Sequence, residues 1–177
     1  MRSFLALPVP EEAADDLAAL SAEAPGGGRA VPVDDLHLTL AFLGDATEGT
    51  LEEIHEALSS RVPPPPPISV TGIAPMDAGH GVLLVADVAR DIGLLTLQAD
   101  VERAARRAGA DLPRRRFRPH VTLARGLTSG PGLRAWMRGL IGPWPRWTPT
   151  EIRLVRSDLR PTGARYETLA AYPLALR

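Results

Sequence analysis

His37-Leu38-Thr39-Leu40 in the first half of the chain returns as His120-Val121-Thr122-Leu123 in the second, and each copy lies in a run whose alternation reads as a β-strand. In a strand, residues i and i+2 share a face. His37 and Thr39 therefore point one way while Leu38 and Leu40 point into a core, and His120 and Thr122 stand in the same relation to Val121 and Leu123. Each half of the chain presents one imidazole and one hydroxyl side by side. The chain has four histidines; the other two lack this context, His55 falling in a helical stretch and His80 in a turn, and both read as structural or surface residues.

Outward from the two motifs the pattern alternates between strand and helix. Phe4 to Val9 reads as a strand, Glu11 to Glu23 as a helix with acids in its first turn, and Leu36 to Leu43 as the strand of the first motif. Thr47 opens a second helix to Ser60, with Leu51, Ile54 and Leu58 at helical spacing. The five prolines Pro63 to Pro67 form a stiff surface connection. Ile68 to Ile73 and Val82 to Val88 read as a strand pair turning through Pro75 to Gly81. A long helix from Asp91 to Ala108 is closed by Gly109, Phe117 to Leu123 is the strand of the second motif, and a short helix lies within Leu133 to Leu140. Ile152 to Val155 and Tyr166 to Ala171 close the chain as strands. This mixed order favours α+β with antiparallel pairing, in two β-α-β-like halves that meet near the polyproline.

Composition narrows the chemistry. The 177 residues, 45% hydrophobic and 23% charged, suffice for one packed domain. There is no cysteine, which excludes disulfides, thiolate metal sites and a cysteine nucleophile. There is no lysine either, so a P-loop, a Schiff-base lysine and a lysyl-nucleotide intermediate are excluded. No apolar run approaches the roughly eighteen residues of a membrane span, and Glu11, Glu12, Asp15 and Asp16 interrupt the N-terminal apolar stretch. The expectation is a cytoplasmic, membrane-free protein, monomeric by default. Residues 1–88 hold 3 Arg against 14 acids, and residues 89–177 hold 17 Arg against 7. Such polarity suits either an anionic partner on the second half or attraction between the halves.

Two facing His/Thr units would bring together two groups that titrate near pH 6.5 and two neutral hydrogen-bond donors. One imidazole can take a proton from water, the other can give one to a leaving oxygen, and the hydroxyls can hold non-bridging phosphoryl oxygens. Since positioning and charge stabilisation do most of the work in phosphoryl transfer, this set can open a phosphodiester with no metal and no cofactor.

The chain resembles the 2H phosphoesterase superfamily, defined by two H-x-[ST]-x motifs, and within it the RNA 2′,3′-cyclic phosphodiesterase family, also called 2′-5′ RNA ligase. The resemblance is carried by Arg2-Ser-Phe-Leu-Ala-Leu7, by Leu36 to Gly44, by Arg116 to Arg125, and by Ser157-Asp-Leu159 with Gly163 and Tyr166. It implies a bilobal pseudo-twofold (LigT-like) fold, two antiparallel sheets lining a central groove with helices outside. On this chain that means one bilobal domain over 1–177, with lobes of about 1–65 and 66–177 and room for strand exchange between them. It also implies opening of an RNA 2′,3′-cyclic phosphate to a 2′-phosphomonoester, with His37 as acid on the 3′-oxygen and His120 as base on water. The sequence leaves the order of those two roles open.

Thr39, Thr122 and Arg125 are the expected phosphate ligands, Arg125 because its planar fork suits phosphate. Arg116, Phe117 and Arg118, with Phe42 and Tyr166, are candidate RNA contacts by charge and stacking, although Phe117 and Phe42 both sit in strands and can serve as core. The partner is then RNA with a cyclic phosphate end or a small cyclic nucleotide. Three rival readings are ligation to a 2′-5′ linkage by the reverse reaction, an RNA-binding module with structural histidines, and a metal-dependent hydrolase using His37, His120 and Asp34 or Asp35. Zinc chemistry needs three protein ligands as a rule, and threonine at both +2 positions suits phosphate better than metal.

Overall fold

The structure, a computed structural model, describes residues 1–79, 81–161 and 163–175. His80 lies outside the described residues, so its expected turn position has no structural account. The strands are β1 (Arg2–Pro8), β2 (Arg29–Ala30), β3 (His37–Asp45), β4 (Ile68–Asp77), β5 (Val82–Val88), β6 (His120–Leu127), β7 (Arg146–Trp147), β8 (Glu151–Arg160) and β9 (Gly163–Pro173). The helices are α1 (Glu11–Glu23), α2 (Glu48–Ser59), α3 (Ile92–Arg107) and α4 (Pro131–Gly139), with a single 3-10 turn at Val33–Asp35. The class is α+β, as expected.

The strand order is β7-β4-β5-β6-β3-β1-β8-β9, with β2 added to β6, and the pairings are antiparallel. It is two four-stranded arrays joined at a seam, where β3 meets β6 through one ladder pair, Leu38 with Val121. Strands β8 and β9, from the end of the chain, lie in the same array as β1 and β3.

The core follows from the alternation around the motifs. Leu38, Leu40, Val121 and Leu123 are 0–2% exposed and pack in one cluster with Leu5 and Leu7 of β1, Leu17 of α1, Ile54 of α2, and Leu94, Leu97 and Val101 of α3. The helices begin where the chain supplies caps. Thr47 accepts from the Thr50 amide at 3.1 Å, and Asp91 accepts from the Gly93 and Leu94 amides at 2.8 and 3.3 Å. Each such cap stabilises its helix by about 1 kcal/mol.

Three expectations on element boundaries are corrected. The second-motif strand begins at His120 and not at Phe117, because Pro119 has no amide to give a ladder and residues 111–119 form no regular element, with a tight turn where the Arg115 amide donates to the Pro113 carbonyl. Strand β4 continues through Pro75 to Asp77, beyond which the Ala78 amide donates to the Gly81 carbonyl at 3.2 Å. Strands β8 and β9 are about twice as long as their apolar runs, since their outer halves pair mainly through polar residues such as Asp158 with Arg165.

Candidate active site

The seam places the two motifs. Leu38 faces Val121 across an antiparallel pair, and continuing that register by one residue each way sets His37 opposite Thr122 and Thr39 opposite His120. The burial of the two tetrads is identical: His and Thr half-buried, the intervening apolar residues buried. The expected repeat is thus a local twofold about the Leu38–Val121 pair, with all four polar side chains on the face turned away from the core.

Each imidazole is anchored in the same way. His37 Nδ1 lies 2.6 Å from the Asp35 carbonyl and His120 Nδ1 lies 2.8 Å from the Arg118 carbonyl, each two residues upstream. A carbonyl only accepts, so Nδ1 carries the hydrogen and Nε2 is the nitrogen whose lone pair can exchange a proton with a ligand. The 3-10 turn delivers the Asp35 carbonyl. Beside the Arg118 carbonyl, the Arg118 guanidinium grips Asp87 with contacts of 2.8, 3.1 and 3.2 Å, and Asp87 is the β5 register partner of His120.

Burial pushes the His37 pKa from 6.5 down to about 4, against the pull of the Asp35 carbonyl, and the charges of Arg125 and His120 push the same way. His120 is also lowered, chiefly by burial, then by Arg118 and Arg125, while its carbonyl bond and Asp87 oppose the shift. Arg125, on β6, is therefore within electrostatic reach of both rings. Its β2 register partner is Arg29, and Gly28 before it has φ +86°, where an added Cβ would lie 2.8 Å from the Arg125 carbonyl oxygen. Only glycine lets β2 approach this part of β6 so closely.

The other candidates divide. Tyr166 is half-buried and meets His37 edge-on. Phe42 is 55% exposed, its ring 6.2 Å from Phe4. Phe117 packs against the main core, and Arg118 is engaged by Asp87. Arg116 is exposed, as are Arg114 and Arg115 beside it. His55 lies on α2, its Nδ1 3.3 Å from the Tyr172 hydroxyl, beside a cleft of about 490 Å³ between α2 and α3 that holds neither motif histidine. Among the described residues no three His, Asp or Glu side chains form a metal-binding group. Sequence reasoning missed Phe4 and Asp87. The signal for Phe4 was present, since alternation along β1 puts Phe4 and Ala6 opposite to Leu5 and Leu7, on the face of the histidines.

Known proteins are similar to this chain over nearly its whole length. A family model described as LigT-like phosphoesterase matches residues 7–77. An RNA 2′,3′-cyclic phosphodiesterase of Thermus thermophilus is 32% identical over 98% of this chain and 90% of its own length. The chain belongs to the LigT-like phosphoesterase family. Another relative, an RNA 2′,3′-cyclic phosphodiesterase of Geobacillus stearothermophilus, is 30% identical over 97% of the chain, which spans 56% of that protein's length. The crystal structure of E. coli LigT complexed with 3′-AMP superposes with a TM-score of 0.79 at 26% identity, covering 99% of this chain and 98% of that one. Both the family expected from the motifs and the fold it implied are thereby established. No helix of the described residues is long and apolar enough to cross a membrane.

Proposed function

We propose that this phosphoesterase opens the terminal 2′,3′-cyclic phosphate of RNA to a 2′-phosphomonoester at the paired His-x-Thr motifs. The observation that carries the reading is the twofold set of carbonyl-anchored imidazoles, each facing the other strand's threonine. Support from relatives is consistent, since both carry the name RNA 2′,3′-cyclic phosphodiesterase and E. coli LigT binds 3′-AMP, a nucleotide with its phosphate on the ribose 3′-oxygen.

The cyclic phosphate sits between the rings with its non-bridging oxygens on the hydroxyls of Thr39 and Thr122 and on the Arg125 guanidinium. One neutral imidazole takes a proton from water through Nε2 as the water oxygen bonds to phosphorus. The other, protonated, gives its proton to the 3′-oxygen as the P–O3′ bond breaks, which leaves the phosphate on the 2′-oxygen. The family resemblance gives the donor role to His37 and the acceptor role to His120. Burial disfavours a proton on both rings, so the charge of the bound anion is what favours protonation of the acid, which takes its proton from solvent. Substrate binding at neutral pH is therefore coupled to proton uptake.

Charge sets the direction from which RNA enters. Beyond the Pro8–His37 pair lies a cleft lined by Glu11, Asp15, Asp34 and Glu151 together with Arg153. The segment leading to His120 instead carries exposed Arg114, Arg115 and Arg116. Antiparallel pairing puts the two at opposite ends of the motif pair, so the RNA backbone tracks the arginine end, with Phe42 as a stacking surface for a base.

The direct test is incubation with an oligoribonucleotide ending in 2′,3′-cyclic phosphate, with and without EDTA, and identification of the product isomer. A 2′-phosphate product formed equally with chelator supports the proposal; a 3′-phosphate product, or activity lost in EDTA and restored by a divalent ion, overturns it. Replacing Arg125 by alanine should lower kcat/KM by about tenfold or more, the worth of a charge-assisted phosphate contact. The same change should flatten the salt dependence of RNA binding by about one phosphate contact. An unchanged salt slope would remove Arg125 from the phosphate site.

A further inference from the structure

The local twofold that relates the two motifs ends at the rings. Phe4, 4% exposed on β1, lies face to face with His37, with centroids 4.7 Å apart and planes 22° from parallel. Tyr166 on β9 meets the same imidazole edge-on at 5.4 Å and 89°, and meets Phe4 at 5.3 Å and 84°. Phe4, Ala6 and Val155 form a small apolar cluster apart from the main core, with Tyr166 packed on it. Among the described residues no aromatic ring is in such contact with His120. The Asp35 carbonyl fixes one ring nitrogen of His37, and a face on one side with an edge on another fixes the plane about that anchor.

We propose that Phe4 and Tyr166 are positioning residues for His37, holding its plane and walling its sides from water so that the two histidines differ in their affinity for a proton. This rests on the reading of His37 as a reacting group. The two motifs supply chemically identical sets, and general acid–base catalysis needs one ring charged while the other is neutral. An aromatic enclosure on one ring alone breaks that symmetry without a charge, and it makes His37, once the bound anion has favoured its protonation, the ring that gives its proton up more readily. The charged and titratable groups that act on or touch His37 are His120 and Arg125 on β6 and Tyr166 on β9; Asp34 and Asp35 lie on the turn before β3, and on β8 Arg153, the register partner of Ala6, is held by Glu151. Of these, Arg125 and His120 disfavour a proton on His37, but burial is the largest influence, and Phe4 and Tyr166 are the aromatic rings in contact with this imidazole.

The test is a histidine-resolved NMR pH titration of the full chain, with the two rings assigned from His37→Gln and His120→Gln. Tyr166→Ala is expected to raise the His37 midpoint by about one unit by admitting water, and to leave His120 within a few tenths. Tyr166→Phe keeps the edge and should leave both midpoints in place. Phe4→Ala should move His37 further in the same direction; if it does not fold, Tyr166→Ala decides alone. A His37 midpoint unmoved by Tyr166→Ala, or a parallel shift of both histidines, overturns the proposal. In the RNA cyclic-phosphate assay the basic-side midpoint of kcat, which reports the group that must hold a proton, should move with the His37 titration while KM changes less. If wild-type protein shows no turnover, the proposed reaction fails and the NMR result still settles the positioning role.

Discussion

Replacing His37 or His120 by alanine is expected to lower turnover of a cyclic-phosphate RNA by about 10²- to 10⁴-fold, the range of a lost general acid or base. Neither change should unfold the chain. Each ring is half-buried, and its Nδ1 hydrogen bond runs to a carbonyl two residues away, so no long-range contact of the fold depends on that bond. Thr39→Ala and Thr122→Ala should cost only about tenfold each, the worth of one neutral donor to a charged oxygen. The double histidine variant should be little worse than the poorer single one, because proton removal and proton delivery belong to one concerted event and such effects are not additive. Single-turnover rates measured alongside circular dichroism check this. A folded single variant turning over at near wild-type rate would remove that histidine from the chemistry.

The face of each motif residue was readable from period-two alternation alone, and so was the core half of each tetrad, because burial there is dictated by the strand's own pattern. What could not be read was anything set by partners distant in the chain. The pairing of β8 with β1 brings Tyr166 against His37, yet nothing within Tyr166 to Ala171 names its neighbour. The Arg118–Asp87 pair is the same kind of fact. From sequence, Arg118 is one of a basic run that suits RNA, and the structure shows its guanidinium paired with Asp87 while its carbonyl anchors His120. Strands β2 and β7, two residues each, are too short to show any period, and they exist because β6 and β4 offer them an edge. Phe117, which the sequence allowed as core as well as RNA contact, packs against the main core.

The second large effect is on stability in acid. The His37 pKa falls from 6.5 in the ordinary state to about 4 in the fold, so between these values the unfolded chain binds a proton that the native one excludes. Native stability from this residue is complete above about pH 6.5 and is lost as pH falls toward 4, by an amount on the order of 3 kcal/mol. Carboxylates titrate over part of the same range, so the informative quantity is a difference between proteins. In urea unfolding from pH 7 to pH 4, wild type should lose about 3 kcal/mol more than His37→Gln, which keeps a polar side chain of similar size and has no proton to gain. The same comparison for His120→Gln should give a smaller difference, because Asp87 beside that ring favours its charged form. Parallel pH profiles for wild type and His37→Gln would mean that the ring protonates freely in the native state. Binding of inorganic phosphate should erase part of the wild-type loss, since an anion between the rings restores the proton that burial excludes, and it should do so less in His37→Gln.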